Sequence, residues 1–167
     1  RLEWPEGSRF HVNAFGQERD VAVRLIGRYM VYPALAAIAV SRLEGIDLDG
    51  TLSLLGSLPP TPGRMEPVAL ANGVTLLRDD FKATLETMHA ALDVFAEVPA
   101  RRRIVLFGDV TEPPANRAVV YEELGARVAG IAAHLIVVGR GLRDYSTGAQ
   151  RAGMPAAAIH DGGTTPQ

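Results

Sequence analysis

Apolar and polar residues first alternate along this chain and then change period. Between Arg9 and Leu25, Phe10 and Val12 and then Val21, Val23 and Leu25 occupy every second position on either side of Gly16, the spacing of short half-buried strands. Gly27 ends the second of these. From Tyr29 to Glu44, Leu35, Ile38, Ala39 and Leu43 recur at helical spacing. Pro33 falls in the first turn, where a missing N–H costs little, and Gly45 follows as a stop. A shorter helix is predicted over Asp49 to Ser57, capped by Asp47 or Asp49. The run Leu58-Pro59-Pro60-Thr61-Pro62-Gly63 continues neither a helix nor a central strand and predicts a stiff linker between domains.

Beyond the linker, strands and helices take turns. Val68 to Leu70 and Val74 to Leu77 flank Asn72-Gly73, a strong hairpin signal. Thr84 to Val98 is amphipathic through Leu85, Met88, Leu92 and Phe95. Ile104 to Phe107 is a continuous apolar run that reads as a buried parallel strand, and so does Leu135 to Val138. Helices are predicted over Ala118 to Ala133 and Leu142 to Ala152, and a last short strand over Ala156 to Ile159. Strands separated by helices of this length predict an α/β fold, a Rossmann-like and mostly parallel sheet flanked by helices, over residues 63–167. Residues 1–58 are expected to form a separate lobe. The polar tail from Gly162 to Gln167 reads as disordered.

Composition removes several classes of function. The 167 residues include no cysteine, which excludes disulfide frameworks, thiolate metal sites and cysteine nucleophiles. A net charge of -2 and a pI near 6.1 argue against binding nucleic acid by bulk charge. The longest apolar stretch, Tyr29 to Val40, falls short of the ~18 residues of a membrane span. Arg1-Leu2-Glu3-Trp4-Pro5 lacks the apolar stretch of a signal peptide. A cytoplasmic chain without nucleic-acid or membrane partners is therefore expected. The four histidines show no metal-ligand spacing, so no metal site is expected. Of the 17 basic residues, 16 are arginine and one, Lys82, is lysine. A GC-rich genome accounts for many arginines. It does not account for the one position that keeps a compact ammonium, which reaches a phosphate differently from a guanidinium.

Three segments could carry chemistry. Arg78-Asp79-Asp80-Phe81-Lys82-Ala83-Thr84 joins the hairpin to a helix, where open α/β sheets bind ligands. Asp80 and Lys82 beside unpaired helix N–H groups could hold an anion or a metal-bound phosphate, or simply cap the helix with a surface ion pair. Pro62-Gly63-Arg64-Met65 places an arginine just past the linker, able to reach across a cleft or merely solvated. Leu106-Phe107-Gly108-Asp109-Val110 puts Asp109 at the carboxyl end of a strand, with Gly108 permitting close backbone approach, or forms a plain strand-exit turn. Neither a Gly-x-Ser-x-Gly elbow nor a phosphate-cradling Gly-x-x-x-x-Gly-Lys-Ser/Thr loop occurs in the chain.

Taken in order, these segments resemble the Mur ligase family, ATP-dependent enzymes that add amino acids to the peptidoglycan precursor. The resemblance runs over nearly the whole chain. Leu25 to Ala39 is similar to the family's Gly-x-His-Asn-x-x-Asn-x-x-Ala-Ala helix, and Gly63-Arg64-Met65 to the turn that opens its C-terminal domain. Asp79-Asp80-Phe81-Lys82-Ala83-Thr84 resembles its Asp-x-Lys-Ala-Thr segment. Gly108-Asp109-Val110-Thr111-Glu112 resembles the Gly-Asp-Met-x-Glu-Leu of the branch that adds a D-alanyl dipeptide. The resemblance implies that residues 1–58 end a central ATPase domain and residues 63–167 form most of a C-terminal domain. It implies catalytic roles for Lys82 and Asp80, nucleotide contacts for Arg64, Tyr29 and Pro33, and substrate contacts for Asp109 and Glu112. ATP and Mg2+ are the implied cofactors, held mostly by residues that would lie upstream of Arg1. A UDP-sugar peptide precursor and an amino acid or short peptide are the implied partners of a monomer. In the implied reaction ATP phosphorylates a carboxylate, an amine attacks the acyl phosphate, and phosphate leaves.

The chain also departs from the family pattern. Tyr29, Met30 and Pro33 stand where the family has histidine and two asparagines, Leu85 replaces an asparagine, and Tyr121 takes the place of a histidine in the dipeptide-adding branch. The family's final Lys-Gly-Ser segment is not reached. Three readings follow: part of a Mur-like amide-forming ligase, a non-catalytic α/β binding domain that kept the fold, or a related polyglutamate or poly-amino-acid ligase. The isolated chain is expected to bind ATP weakly or not at all, since it lacks a phosphate loop. Calorimetry giving low-micromolar ATP affinity would contradict that expectation.

Overall fold

In the computed structural model, which describes residues 1–164, Phe15 and Gly16 both take left-handed backbone angles, with φ 55° and 76°. This two-residue turn folds the first alternating segment back on itself. Strands β1 (Leu2–Glu3), β2 (Gly7–Ala14) and β3 (Gln17–Val23) pair antiparallel in that order, with Ala14 opposite Gln17. Val12, Val21 and Val23 bury one face of this sheet against Ala34 and Ile38 of helix α1 (Val31–Leu43) and Leu55 of helix α2 (Leu48–Ser57). The apolar stripe of α1 differs from the predicted one: Leu35 and Leu43 are exposed, Leu43 by 84%. Tyr32 and Val40 are exposed as well, so α1 is apolar on nearly every side and its period alone selects no face. Asp47 caps α2 by accepting the Gly50 N–H at 2.7 Å, whereas Asp49 pairs with Arg19 at 2.8 Å.

Strands β4 (Glu66–Ala69) and β5 (Thr75–Arg78) form the predicted hairpin. The Gly73 N–H donates to the Leu70 carbonyl at 3.1 Å, and Gly73 takes the left-handed position (φ 77°) that lets β5 begin in register. This hairpin is a sheet of its own and does not join the parallel one. Two compact units divide the chain between Phe81 and Lys82, and the proline-rich stretch 58–63 lies within the first of them.

The second unit carries the α/β pattern. Thr84 caps helix α3 (Leu85–Glu97), accepting from the Thr87 N–H while Thr87 accepts from the Thr84 N–H. Strand β6 (Ile104–Phe107), helix α4 (Arg117–Ala129), strand β7 (His134–Val137), helix α5 (Leu142–Arg151) and strand β8 (Ile159–Asp161) follow. The three strands are parallel in the order β6-β7-β8. Each crossover steps one strand further in the same direction, and right-handed crossovers of that kind place α4 and α5 on one face of the sheet. Val105, Phe107, Leu135 and Val137 point to that face and pack with Met88, Leu92, Leu124, Val128 and Tyr145. The alternate residues Ile104 and Leu106 remain 44% and 63% exposed. The continuous apolar run thus marks a strand buried on one side, where burial on both was expected. Gly162 donates to the Val137 carbonyl at 2.8 Å, and Gly163 accepts from the Gly139 N–H at 2.9 Å, so the start of the tail is tied to the sheet. Residues 165–167 of the predicted disordered tail lie outside the described residues.

Helices α4 and α5 touch backbone to backbone. A Cβ added to Gly125 would stand 2.1 Å from the Tyr145 carbonyl oxygen, and one added to Gly148 would stand 1.8 Å from that of Glu122. Backbone cannot step aside as a side-chain end can, so Gly148→Ala should cost about 3 kcal/mol or more, or prevent folding. Gly130→Ala, whose nearest neighbour is 3.6 Å away, should stay within about 0.5 kcal/mol of the parent. Urea unfolding of the two variants checks this; equal stabilities would refute the close approach.

Candidate functional site

In the first unit the predicted residues gather around one turn. Gly63 (φ 68°) and Met65 (φ 46°) are both left-handed, which bends the chain sharply at Arg64. The Gly63 N–H donates to Glu66 Oε2 at 2.9 Å, its carbonyl accepts from the Phe81 N–H at 3.1 Å, and the Met65 N–H donates to Asp79 Oδ1 at 3.1 Å. The segment following β5 is thereby laid along the turn. A Cβ on Gly63 would stand 2.8 Å from Asp80 Oδ1, a contact the exposed carboxylate can relieve by moving, so it is the left-handed φ that favours glycine here. Arg78 bridges Glu66 and Asp80, each at 3.2 Å. The Arg64 guanidinium lies 4.5 Å from the ring centroid of Phe81, itself 71% exposed. Arg64 and Asp80 therefore share one turn.

Tyr29 and Asp79 are electrically linked to it. Burial, and secondarily the Asp79 carboxylate, push the Tyr29 hydroxyl up to about 12. Burial also raises the Asp79 carboxyl above its ordinary range, against the opposing effects of the Met65 N–H and Arg64. Pro33 lies exposed in the first turn of α1 and, as a proline, offers no N–H. Asp79 is a residue that the sequence did not separate from its neighbour: two adjacent aspartates carry no sign of which turns inward.

In the second unit, Lys82 keeps its side chain 45% exposed, with Nζ 3.5 Å from Glu112 Oε1. The Thr111 N–H donates to the Ala83 carbonyl at 2.7 Å, so the two segments run side by side. Glu112 sits at φ 56°, in the left-handed region where a glutamate is uncommon. Expected as a substrate contact, it stands here as the counterion of Lys82. Asp109, at the carboxyl end of β6, accepts the Arg140 N–H with both oxygens, at 3.2 and 3.3 Å. This joins the ends of β6 and β7. Tyr121 accepts the Val110 N–H at 2.9 Å, and Tyr145 donates to the Gly108 carbonyl at 3.1 Å. Their rings stack with centroids 4.4 Å apart and planes 8° from parallel. Burial raises both phenols, which stay protonated at neutral pH. Nothing in the sequence marked Tyr145 or the Arg140 N–H as holding the Gly108-Asp109-Val110 turn.

Each exposed cation of these clusters has a carboxylate or an aromatic ring for company, an arrangement that an incoming phosphate-like anion can enter by exchanging partners. Among the described residues no three histidine or acidic side chains come together to hold a metal ion. No helix among them is long and apolar enough to cross a membrane. A hollow lined by Phe15, Arg42, Ile46 and Leu48 contains none of the predicted residues.

Comparison with known proteins follows from this geometry. The family model described as "Mur ligase, glutamate ligase domain" matches residues 63–164. The UDP-N-acetylmuramoyl-tripeptide--D-alanyl-D-alanine ligase of Escherichia coli K12 is 36% identical over 127 residues, 75% of this chain and 28% of that protein. The ligase of the same description from Mycobacterium tuberculosis H37Rv is 26% identical over 140 residues, 80% of this chain and 28% of its own length. Among solved structures, MurF from Acinetobacter baumannii aligns with a TM-score of 0.84 at 21% identity, over 99% of this chain and 35% of that one. The UDP-N-acetylmuramate-alanine ligase of Thermotoga maritima gives 0.67 at 17% identity, over 87% of this chain and 31% of that one. At these identities the structural likeness is one of fold. The chain spans about 28% of the length of the first two relatives.

The burial of Asp79 has a measurable consequence. Its raised value means that the folded state takes up this proton at a higher pH than the unfolded chain does. Asp79 therefore favours folding below the ordinary carboxylate range and gives that contribution up as pH rises through the raised value. Asp79→Asn keeps an oxygen for the Met65 N–H and removes the titration. Between neutral pH and about pH 4, the variant should lose more stability on acidification than the parent does. Urea midpoints read through Trp4, the only tryptophan, report on the first unit; parallel pH responses would show that Asp79 bears no burial cost.

Proposed function

Because the chain belongs to the Mur ligase family, we propose that it serves an ATP-dependent ligase that joins a carboxylate of a UDP-N-acetylmuramoyl-peptide-like precursor to an amino acid or short peptide. In this reading residues 1–58 end a central ATPase domain, and residues 63–167 form the C-terminal domain that receives the incoming amine. The observation that carries it is the match over residues 63–164, a range that contains Arg64, Asp80, Lys82, Asp109 and Glu112, the residues on which the resemblance rests. The names of the relatives favour the branch that adds a D-alanyl dipeptide.

The residues present fit one part of a nucleotide and not another. Arg64 and Lys82 are exposed or half-exposed cations suited to the oxygens of the terminal phosphates. The described residues offer no acidic cluster for Mg2+. When bound, ATP supplies the phosphoryl group that activates the carboxylate as an acyl phosphate for attack by the amine. Arg64, held by its stacking on Phe81, would keep a fixed approach to the phosphates. Lys82 would leave Glu112 for a phosphate oxygen, and Asp80 would orient Arg78 and the turn at Gly63. Asp109, whose carboxylate is already engaged with the Arg140 N–H, would shape the substrate side of the site. Such positioning and charge placement supply most of the catalysis in phosphoryl transfer. Pro33, lacking a donor, and the half-buried Tyr29 would give the nucleotide only an apolar and aromatic surface. That feature favours the second reading, a non-catalytic binding domain on the same fold.

Turnover in the full-length protein separates the two. Lys82→Ala and Asp80→Ala should each lower amide formation about a hundredfold, the loss of ~3 kcal/mol of transition-state stabilisation. As surface sites they should change fold stability by no more than about 0.5 kcal/mol. Lys82→Arg should also be impaired, since a forked guanidinium does not replace a compact ammonium. Full activity in Lys82→Ala, or a melting temperature that falls in step with activity, would make Lys82 a surface residue beside the helix cap; no amide formation by the full-length parent would favour the binding-domain reading.

A further inference from the structure

Two histidines stand apart from everything described above. His134 opens β7 and His160 lies in β8, where it is opposite Ile136 in the parallel register. Strand alternation therefore places both on the sheet face that carries Ile104 and Leu106, away from the side packed by α4 and α5. Nδ1 of His134 is 3.1 Å from Nε2 of His160, with ring centroids 5.3 Å apart and planes tilted by 33°.

We propose that His134 and His160 form a two-imidazole binding site for a borderline divalent transition-metal ion, of the Zn2+ or Cu2+ type. Separation is the first argument. Two imidazole nitrogens, each ~2.0–2.1 Å from one ion at octahedral to tetrahedral angles, stand roughly 3–3.4 Å apart, and the observed pair matches. Availability is the second. Among the described residues, neither ring has any other hydrogen-bond or charged partner. The remaining histidines are committed: His11 lies against Asp20 and Glu18, and His89 against Arg127. The neighbouring Asp161 accepts the Gly163 N–H and belongs to the opposite side of β8.

The coordination step balances simply. In the neutral pair one facing nitrogen carries a proton and the other accepts it. On binding, that proton moves through solvent to the outer nitrogen of its own ring. Both facing lone pairs then turn inward by rotation of the exposed rings, and two coordinate bonds form. Water fills the remaining positions, and nothing is oxidised or reduced. The ligand set is soft enough for Cu2+, Ni2+ and Zn2+ in the usual affinity order and unsuited to the hard Mg2+ and Ca2+. A bound ion would bridge β7 to the three-residue strand β8 at the sheet edge, a cross-link in a chain without cysteine.

Calorimetric titration of the chain with ZnCl2 in a non-chelating buffer is the test. It should give one ion per chain with micromolar affinity. His134→Ala and His160→Ala should each weaken it about tenfold or more, since each removes one arm of a chelate. His11→Ala should leave it unchanged, and MgCl2 should give no binding. Zn2+ should also raise the melting temperature of the parent and not that of His160→Gln, which keeps a polar side chain if the alanine variants fold poorly. Undiminished binding in the double variant, or none up to millimolar Zn2+, would overturn the proposal.

Discussion

The second unit depends on one contact: helices α4 and α5 meet with no side chain between them at Gly125 and Gly148. That closeness brings the rings of Tyr121 and Tyr145 into a stack, and Gly141 leaves the space beside them, since a Cβ there would fall 2.5 Å from the Tyr121 ring. The two hydroxyls then reach past the helices to the carbonyl of Gly108 and the N–H of Val110. The buried Val110 N–H would cost ~1–3 kcal/mol if left unpaired, so helix packing and the shape of this turn are secured together. Asp109 inherits its position from that turn and passes it to the end of β7 through the Arg140 N–H.

The first unit separates scaffold from chemistry differently. Its turn at Gly63 is fixed by backbone angles and by hydrogen bonds from Gly63 and Met65 to carboxylates. The charged side chains around it pair on the surface, where ion pairs contribute little to stability. Groups that matter little to folding are free to change partners when a ligand arrives. Lys82 and Glu112 in the second unit follow the same rule.

Local chemistry made much of this readable in the sequence. Asn72-Gly73 announced the hairpin, the alternation of apolar runs and helical stripes announced the parallel sheet, and the strand-end position of Asp109 was correct. What stayed hidden required knowledge of partners. A helix as uniformly apolar as α1 does not reveal that Ala34 and Ile38 face inward while Leu43 faces out. Four consecutive apolar residues in β6 do not reveal that only Val105 and Phe107 are covered. Asp79 and Asp80 look alike until Met65 donates to one of them, and the pairing of Lys82 with Glu112 joins segments that no local pattern connects. The phenol stack is the extreme case, since each tyrosine alone resembles an ordinary core residue.

The solitary lysine has a practical corollary in labelling chemistry. Amine-selective reagents usually decorate a protein surface at many points, and here the chain offers them a single lysine amine, half in solvent. Besides the α-amino group of the chain, an acylating dye or a reductively methylated, isotope-enriched carbon would therefore report from one side-chain atom, beside Glu112. The guanidinium groups that furnish the rest of the surface add no further signal, so the local environment of that ammonium can be followed spectroscopically, beside that of the α-amine, without altering the sequence.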